Sequence, residues 1–321
     1  MVIPTHNRAA SLQRLLDVVE RSTKPAGGMD VIVVDDGSTD ATAAVVDTKK
    51  FRYLRQPNLG PAAARERGWR ASTGEVVVFL DDDVAPATDT IHRLVSGLDG
   101  ADAVGAVIHA RDRRSLIAHY MDLDGMITHC MVDGEVVWLV LLATAIRREA
   151  LERIGGFDLT FRPAGEDVDL TSRLLEAGCV LRVDPGAVVG TNCASGFAQL
   201  VRALYVYGGG FRMLASRHAS FRRERIRSAL LRLNPRDWRN RYRHYRREAP
   251  VRRALVFMLL HAFVVLPYGL GVIAGQRGWK QTGRPRDAAT DGLSIELIGR
   301  SQRAVPELSP VVAVDQEELA S

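Results

Sequence analysis

Two short, unbroken apolar runs constrain this chain more than any other feature. Val31-Ile32-Val33-Val34 stops at Asp35-Asp36-Gly37-Ser38, and Val76-Val77-Val78-Phe79-Leu80 stops at Asp81-Asp82-Asp83. Such a run, β-branched and aromatic with no polar alternation, is the pattern of a strand covered on both faces. Helical spacing fills the gaps. Leu12, Leu15, Leu16 and Val19 recur behind Ser11, read as an N-cap, and a second helix runs through Val45 and Val46. After a weak strand at Tyr53-Leu54, Ala62 to Ala71 reads as a helix ended by Gly74. Strands alternating with helices predict an α/β fold, a mostly parallel sheet flanked by helices. The opening Val2-Ile3 reads as the end of a strand, not as a signal peptide, and so short a strand points to a start upstream.

The chain has 321 residues, 46% of them hydrophobic, enough for one large α/β domain with appendages. Its three cysteines, Cys130, Cys179 and Cys193, are far apart and show no CxxC, which argues against a disulfide framework or a cysteine zinc site and for a reducing cytosol. The net charge of +5 is carried by arginine and is uneven. The middle is mixed: Val136 to Ile146 reads as one apolar strand, Gly155-Gly156-Phe157-Asp158 as a turn, and Glu166-Asp167 as the opening of a helix carrying Leu170, Leu174 and Leu175.

In an open parallel sheet, ligands bind at the carboxyl ends of the strands. Carboxylates gathered at one rim repel one another and persist where something positive sits among them. Oxygen ligands suit Mg²⁺ or Mn²⁺, and Mg²⁺ uses one or two carboxylates together with substrate phosphates. Asp81 and Asp83, two apart, suit such an ion. A single acidic turn after a strand is commonly only a helix cap. Two acidic strand ends in one sheet argue for a site.

At this point five blocks, in order, resemble the family 2 glycosyltransferases, which have the GT-A fold. They are Val2-Ile3-Pro4-Thr5-His6-Asn7-Arg8; Val31 to Asp40; Asn58-Leu59-Gly60-Pro61-Ala62-Ala63-Ala64-Arg65 with Gly68; Leu80-Asp81-Asp82-Asp83, similar to the family's DxD metal motif; and Arg147 through Gly155-Gly156-Phe157-Asp158 to Glu166-Asp167-Val168-Asp169-Leu170 and Arg173. Together they cover residues 1 to about 190. The resemblance implies donor contacts at Pro4, Thr5, Asp35, Asp36, Arg65, Asp81 and Asp82, with metal at Asp83 and Asp81. It implies Asp167 as catalytic base, with Glu166 beside it.

The chemistry fits that division. A nucleoside diphosphate leaves more readily when a divalent ion stabilises its developing charge. The acceptor hydroxyl must lose a proton as it attacks, and a positioned carboxylate supplies roughly 10²–10⁴-fold. One base and no covalent intermediate imply in-line displacement with inversion. Taken alone, Glu166-Asp167 would read as ordinary acids at a helix N-terminus. The chain departs from the pattern once. Many relatives carry a histidine shortly after the last sheet strand, where this chain has Val188-Val189-Gly190-Thr191-Asn192, so Asn192, water or another group would complete the metal site. His109, His119 and His129, ten apart, lack metal-ligand spacing; Trp138 suits a core strand; Tyr205 and Tyr207 suit either an acceptor channel or helix packing.

Past residue 200 the character changes. Four segments are expected: 1–200 as the transferase domain, 201–253 as an Arg-rich helical segment, 254–275 as an apolar membrane-associating segment, and 276–321 as a largely disordered tail. Ala254 to Gly275 is long enough for a bilayer core, although Pro267, Gly269 and Gly271 argue against a plain straight helix. A hairpin packed on the catalytic domain is the other reading. The arginines would meet anionic lipid on the cytoplasmic side, and Trp238, Tyr242 and Tyr245 would suit an interface belt. With no recognised nucleic-acid motif, the arginines do not point to nucleic acid.

The expected protein is thus an inverting, Mn²⁺- or Mg²⁺-dependent transferase. Its donor is a nucleotide sugar, UDP-sugar favoured. Its acceptor is a hydroxyl on a lipid, glycan or secondary metabolite, and its place is the cytoplasmic face of the cell membrane or the cytoplasm. The alternatives are a polyprenyl-phosphate sugar synthase, whose phosphate acceptor needs little base, and a non-catalytic nucleotide-sugar-binding protein. A nucleotidyltransferase is disfavoured, since no Gly-rich loop with a lysine lies near the N-terminus.

Overall fold

A computed structural model describes residues 1–49, 51–132, 134–161, 164–218 and 235–274. The tail expected over 276–321, and residues 219–234 of the Arg-rich segment, lie outside the described residues. The first half runs β1 (Val2–Thr5), α1 (Ala9–Arg21), β2 (Ile32–Asp35), α2 (Thr42–Asp47), β3 (Arg52–Arg55), α3 (Pro61–Ala71), β4 (Val76–Leu80), β5 (Val84–Pro86), α4 (Thr90–Ser96), β6 (Ala103–Ala110) and α5 (Leu116–Leu123). The second runs β7 (Cys130–Val132), β8 (Glu135–Trp138), β9 (Ala143–Arg147), α6 (Arg148–Ile154), α7 (Glu166–Glu176), β10 (Leu181–Thr191), α8 (Phe197–Arg217), α9 (Pro235–Glu248), α10 (Val251–Phe263) and α11 (Val265–Ala274).

Eight strands form one sheet in the order β3-β2-β1-β4-β9-β6-β10-β5. The half from β3 to β4 is parallel, as the two apolar runs predict. It is covered on both sides by two large apolar clusters. One holds α1 with Leu12, Leu15 and Leu16, and the other holds α3 with Ala62, Ala64 and Trp69. The other half is mixed: β9 runs antiparallel to both β4 and β6, and β5 antiparallel to β10.

Three expectations need correction. Val136 to Ile146 is not one strand. It breaks into β8 and β9 around a connection in which Leu139 and Leu141 are buried. The buried ring of His129 holds that connection, taking the Val140 N–H on Nδ1 at 3.0 Å and donating from Nε2 to the Ala106 carbonyl at 2.7 Å. Ser11 is not an N-cap. The helix begins at Ala9, whose N–H donates to the Asp40 carboxylate at 3.0 Å, so a loop 31 residues away satisfies the helix end. Tyr245 is no interface anchor. It is fully buried, its ring packs edge-on against Tyr120 and Phe257, and its hydroxyl donates to Asp124 at 2.6 Å.

Val251–Ile273 is long and apolar enough to cross a membrane by length and composition. It is divided at Val264. Pro267 accounts for the division: its ring has no N–H and meets the carbonyl four residues back, at Phe263, where α10 ends. One face of α10 and α11 packs on the rest of the chain. Ala254, Phe257, Leu260, His261 and Val264 are buried, and the buried Asp124 carboxylate at the end of α5 receives Arg241 at 3.0 Å, Tyr245, and His261 at 3.1 Å.

Candidate active site at the strand ends

Thr5, Asp35 and Leu80 end β1, β2 and β4, so the parallel register delivers Thr5, Asp35-Asp36 and Asp81-Asp82-Asp83 to one rim. Pro4 sits inside β1 opposite Val34. The Thr5 hydroxyl donates to Asp82 Oδ2 at 2.7 Å, both groups being buried. Asp35 accepts from the Ser38 N–H at 2.7 Å and from the Tyr53 hydroxyl. Asp36 accepts from Gln56 Nε2 and from the N–H groups of Leu59 and Gly60, each at 2.8 Å. Asp36 therefore fixes the loop that leads into α3.

That helix lies hard against the sheet. A Cβ at Gly68 would stand 2.2 Å from Val2 Cγ1, so only glycine permits the approach. One turn earlier on the same face, Arg65 reaches over the rim. Its Nη2 donates to Asp81 Oδ1 at 2.7 Å and its Nη1 to Glu166 Oε1 at 2.8 Å. Burial alone would lower the Arg65 pKa, but Asp81 and Glu166 outweigh it and hold the guanidinium above its ordinary range.

Glu166 and Asp167 are the first residues of α7. Gly165 precedes them at φ +99, a conformation that favours glycine, and turns the chain so the helix starts at the rim. Burial, then the charge of Asp167, pushes Glu166 up to about 7. Burial likewise raises Asp167, whose Oδ1 accepts the Val168 N–H at 2.8 Å. Burial raises Asp81 to about 6 against the pull of Arg65. Glu166 Oε2 and Arg65 Nε are buried with no partner among the described residues. A proton-accepting pair thus stands beside a carboxylate cluster, with unused hydrogen-bonding capacity between them.

Arg8 closes the first sequence block. Its Nη1 donates to Asp82 Oδ1 at 3.0 Å and to Asp83 Oδ2. Its place follows from Asn7, which adopts a left-handed φ of 53 and joins the second acidic loop by accepting the Thr39 N–H at 2.8 Å. Tyr207 of α8 is exposed. The carboxyl end of β10 arrives beside Asp83: Thr191 pairs with Val84, so Asn192 and Cys193 stand where the sequence lacks a histidine. No sequence signal marks Arg8, because what identifies it is proximity to acids from other segments. Among the described residues no three His, Cys, Asp or Glu side chains form a metal cage.

The family model for glycosyl transferase family 2 matches residues 1–161, which hold the rim acids and Arg65 and end before Gly165, Glu166 and Asp167. The chain belongs to glycosyl transferase family 2. Among its relatives, a pre-mycofactocin glycosyltransferase of Mycobacterium tuberculosis is 33% identical over 68% of this chain and 47% of its own length. An undecaprenyl-phosphate 4-deoxy-4-formamido-L-arabinose transferase of Pseudomonas paraeruginosa is 33% identical over 36% of this chain and 35% of its own. The chain spans about half the length of the first of these. Among solved structures, a mannosyltransferase of Pyrobaculum calidifontis, in complex with GDP-Man and Mn²⁺, superposes with a TM-score of 0.61 at 20% identity, covering 86% of both chains. At that identity the likeness concerns the fold, GT-A-like as the five blocks imply.

Proposed function

We propose that this chain is an inverting glycosyltransferase. It moves a sugar from a nucleotide-diphosphate sugar, UDP-sugar favoured, to a hydroxyl on a lipid, glycan or secondary metabolite. The observation that carries the reading is Arg65 joining Asp81 to Glu166, because it brings a donor-side and an acceptor-side carboxylate to one buried cation. Pro4, Thr5, Asp35, Asp36, Arg65, Asp81 and Asp82 form the donor side, and Asp83 with Asp81 would hold Mn²⁺ or Mg²⁺. Bound there, the ion would supply positive charge to the diphosphate leaving group. The donor set fits a hard cation: Asp83 already holds a positive group, the guanidinium of Arg8.

Asp167 takes the proton from the acceptor hydroxyl as that oxygen attacks the anomeric carbon. Burial raises its affinity for a proton, in the direction that suits a base. Glu166 holds Arg65, and through it Asp81, in register with Asp167. The exposed arginines of α9 and the apolar outer face of α10 and α11 support work at the cytoplasmic face of a membrane, without nucleic acid as partner.

The test is donor binding and hydrolysis across a panel of nucleotide sugars with Mn²⁺, Mg²⁺ or EDTA, alongside Asp83→Ala. Metal-dependent release of one nucleotide, lost in the variant, supports the reading; no binding to any donor under any metal overturns it. The relative that acts on undecaprenyl phosphate favours a second reading, a phosphate acceptor. Asp167→Asn separates the two, since a phosphate acceptor is already ionised and its attack would survive the change.

A further inference from the structure

The outer face of α10 and α11 is one continuous apolar stripe. Leu255, Leu259, Leu266, Leu270 and Ile273 recur at three-, four- and seven-residue spacing, and Leu259 and Ile273 are each 70% exposed. Val251 and Val265 border them, also exposed. Over 23 residues such a stripe is roughly 35 Å long. Arg252 stands on the same line, three residues before Leu255 and seven before Leu259. Arg239, Arg243, Arg246 and Arg247 are exposed on α9, which packs beside α10.

The opposite face is committed to the protein along its whole length. Ala254, Phe257, Leu260, His261, Val264, Pro267 and Gly271 are buried, so every turn has a side against the chain itself. At the α10 end the anchor is Asp124, fixed by Arg241, Tyr245 and His261. At the α11 end it is backbone: a Cβ at Gly208 would lie 2.2 Å from the Tyr268 carbonyl oxygen, and one at Gly271 would lie 2.1 Å from that of Tyr205. Arg212 then donates to the Ile273 carbonyl at 2.7 Å.

We propose that α10 and α11 lie in the plane of an anionic lipid surface, embedded by the Leu255–Ile273 stripe, and do not cross the bilayer. The inference rests on the membrane contact proposed above and adds its face and its depth. Crossing requires about 20 residues surrounded by lipid. Here the inner half of each turn carries protein, so insertion would draw the buried Asp124, Arg241 and His261 cluster into hydrocarbon or tear it apart, and either is costly. An in-plane helix keeps that half in place and sinks only its outer side chains, about 5–10 Å deep. Charge selects the occupant. A second copy of this chain on the stripe would set Arg252 and the α9 arginines against their equals, whereas acidic headgroups neutralise them.

The test is flotation of the full chain with vesicles of phosphatidylcholine alone and of phosphatidylcholine mixed with phosphatidylglycerol. The chain should float with the mixed vesicles only, and alkaline carbonate should strip it off. Leu259→Glu, at a position that touches little protein, should weaken binding roughly ten- to a hundredfold, and Arg252→Glu by roughly fivefold or more. Donor hydrolysis on the same samples, without vesicles, should be unchanged in both variants. If hydrolysis is absent from the wild type while flotation follows this pattern, the transferase reading fails and the docking stands. Failure of the wild type to float with either vesicle would overturn the docking. So would resistance to carbonate, which means spanning, or a solution dimer that Leu259→Glu dissociates, which means a second copy covers the stripe.

Discussion

Arg65 and Glu166 are 101 residues apart in sequence and meet through a buried guanidinium–carboxylate bond of 2.8 Å. The same guanidinium holds Asp81, so one side chain fixes the spacing between the start of α7 and the acidic strand end. Arg65→Ala leaves the buried Glu166 and the partly buried Asp81 without a cation, and the expected loss is about 3 kcal/mol. Denaturant unfolding measures it. Arg65→Lys should recover only part of that, since one ammonium cannot present the fork that reaches both acids. Equal stability of Arg65→Lys and wild type would contradict this geometry.

Glu166→Gln should change the pH response in a defined direction. The folded-state pKa of Glu166, about 7, lies above its ordinary value of 4.5. The buried proton therefore stabilises the fold fully below 4.5, and that contribution is lost as pH rises through about 7. Wild type should lose stability relative to Glu166→Gln across that window, as read from melting temperatures. The variant should also move the rising limb of the pH–rate profile to lower pH, because Asp167 no longer titrates beside a carboxylate. An unshifted limb would place the titrating base elsewhere.

On the proposed reading, Arg8 and a divalent cation compete for Asp83. Asp83→Ala should abolish Mn²⁺ binding in calorimetry at unchanged melting temperature. Arg8→Gln should tighten Mn²⁺ binding, in the absence of nucleotide, by about two- to fivefold, the scale of a half-exposed ion pair. Weaker binding in Arg8→Gln would show that Arg8 supports the cation instead of opposing it.

Asp124→Ala removes the single acceptor shared by Arg241, Tyr245 and His261. The expected cost is about 3 kcal/mol or more. Hydrogen exchange should locate it in α9 and α10 and leave β1 to β4 protected. A uniform loss of protection across the sheet would mean that these helices are part of the same cooperative unit.

Gly271→Ala drives a methyl toward the Tyr205 carbonyl and should cost about 1–3 kcal/mol by forcing α8 and α11 apart. α8 also packs on the loop before Glu166, where a Cβ at Gly210 would meet the Ala164 carbonyl at 2.6 Å. Donor hydrolysis should therefore fall together with stability. Full activity in a destabilised Gly271→Ala chain would separate α11 from the site.

The sequence by itself determined the parallel half of the sheet and the site's acids. Buried parallel strands must be apolar throughout, and their loops open at a common rim, so Val31–Asp36 and Val76–Asp83 predict both the strands and the gathering of their carboxylates. Local pattern also placed Glu166 and Asp167 at a helix start. It did not reveal the break between β8 and β9, because buried loop residues such as Leu139 and Leu141 are as apolar as strand residues. Nor did it tell an interface aromatic from Tyr245, which the tertiary structure buries against Phe257 and gives to Asp124. Only the tertiary structure decided which cation meets which acid: Arg65 with Glu166, Arg8 with Asp83, and Arg241 with Asp124. A charge carries no periodicity, and its partner is fixed by how distant segments pack, which spacing along the chain does not record.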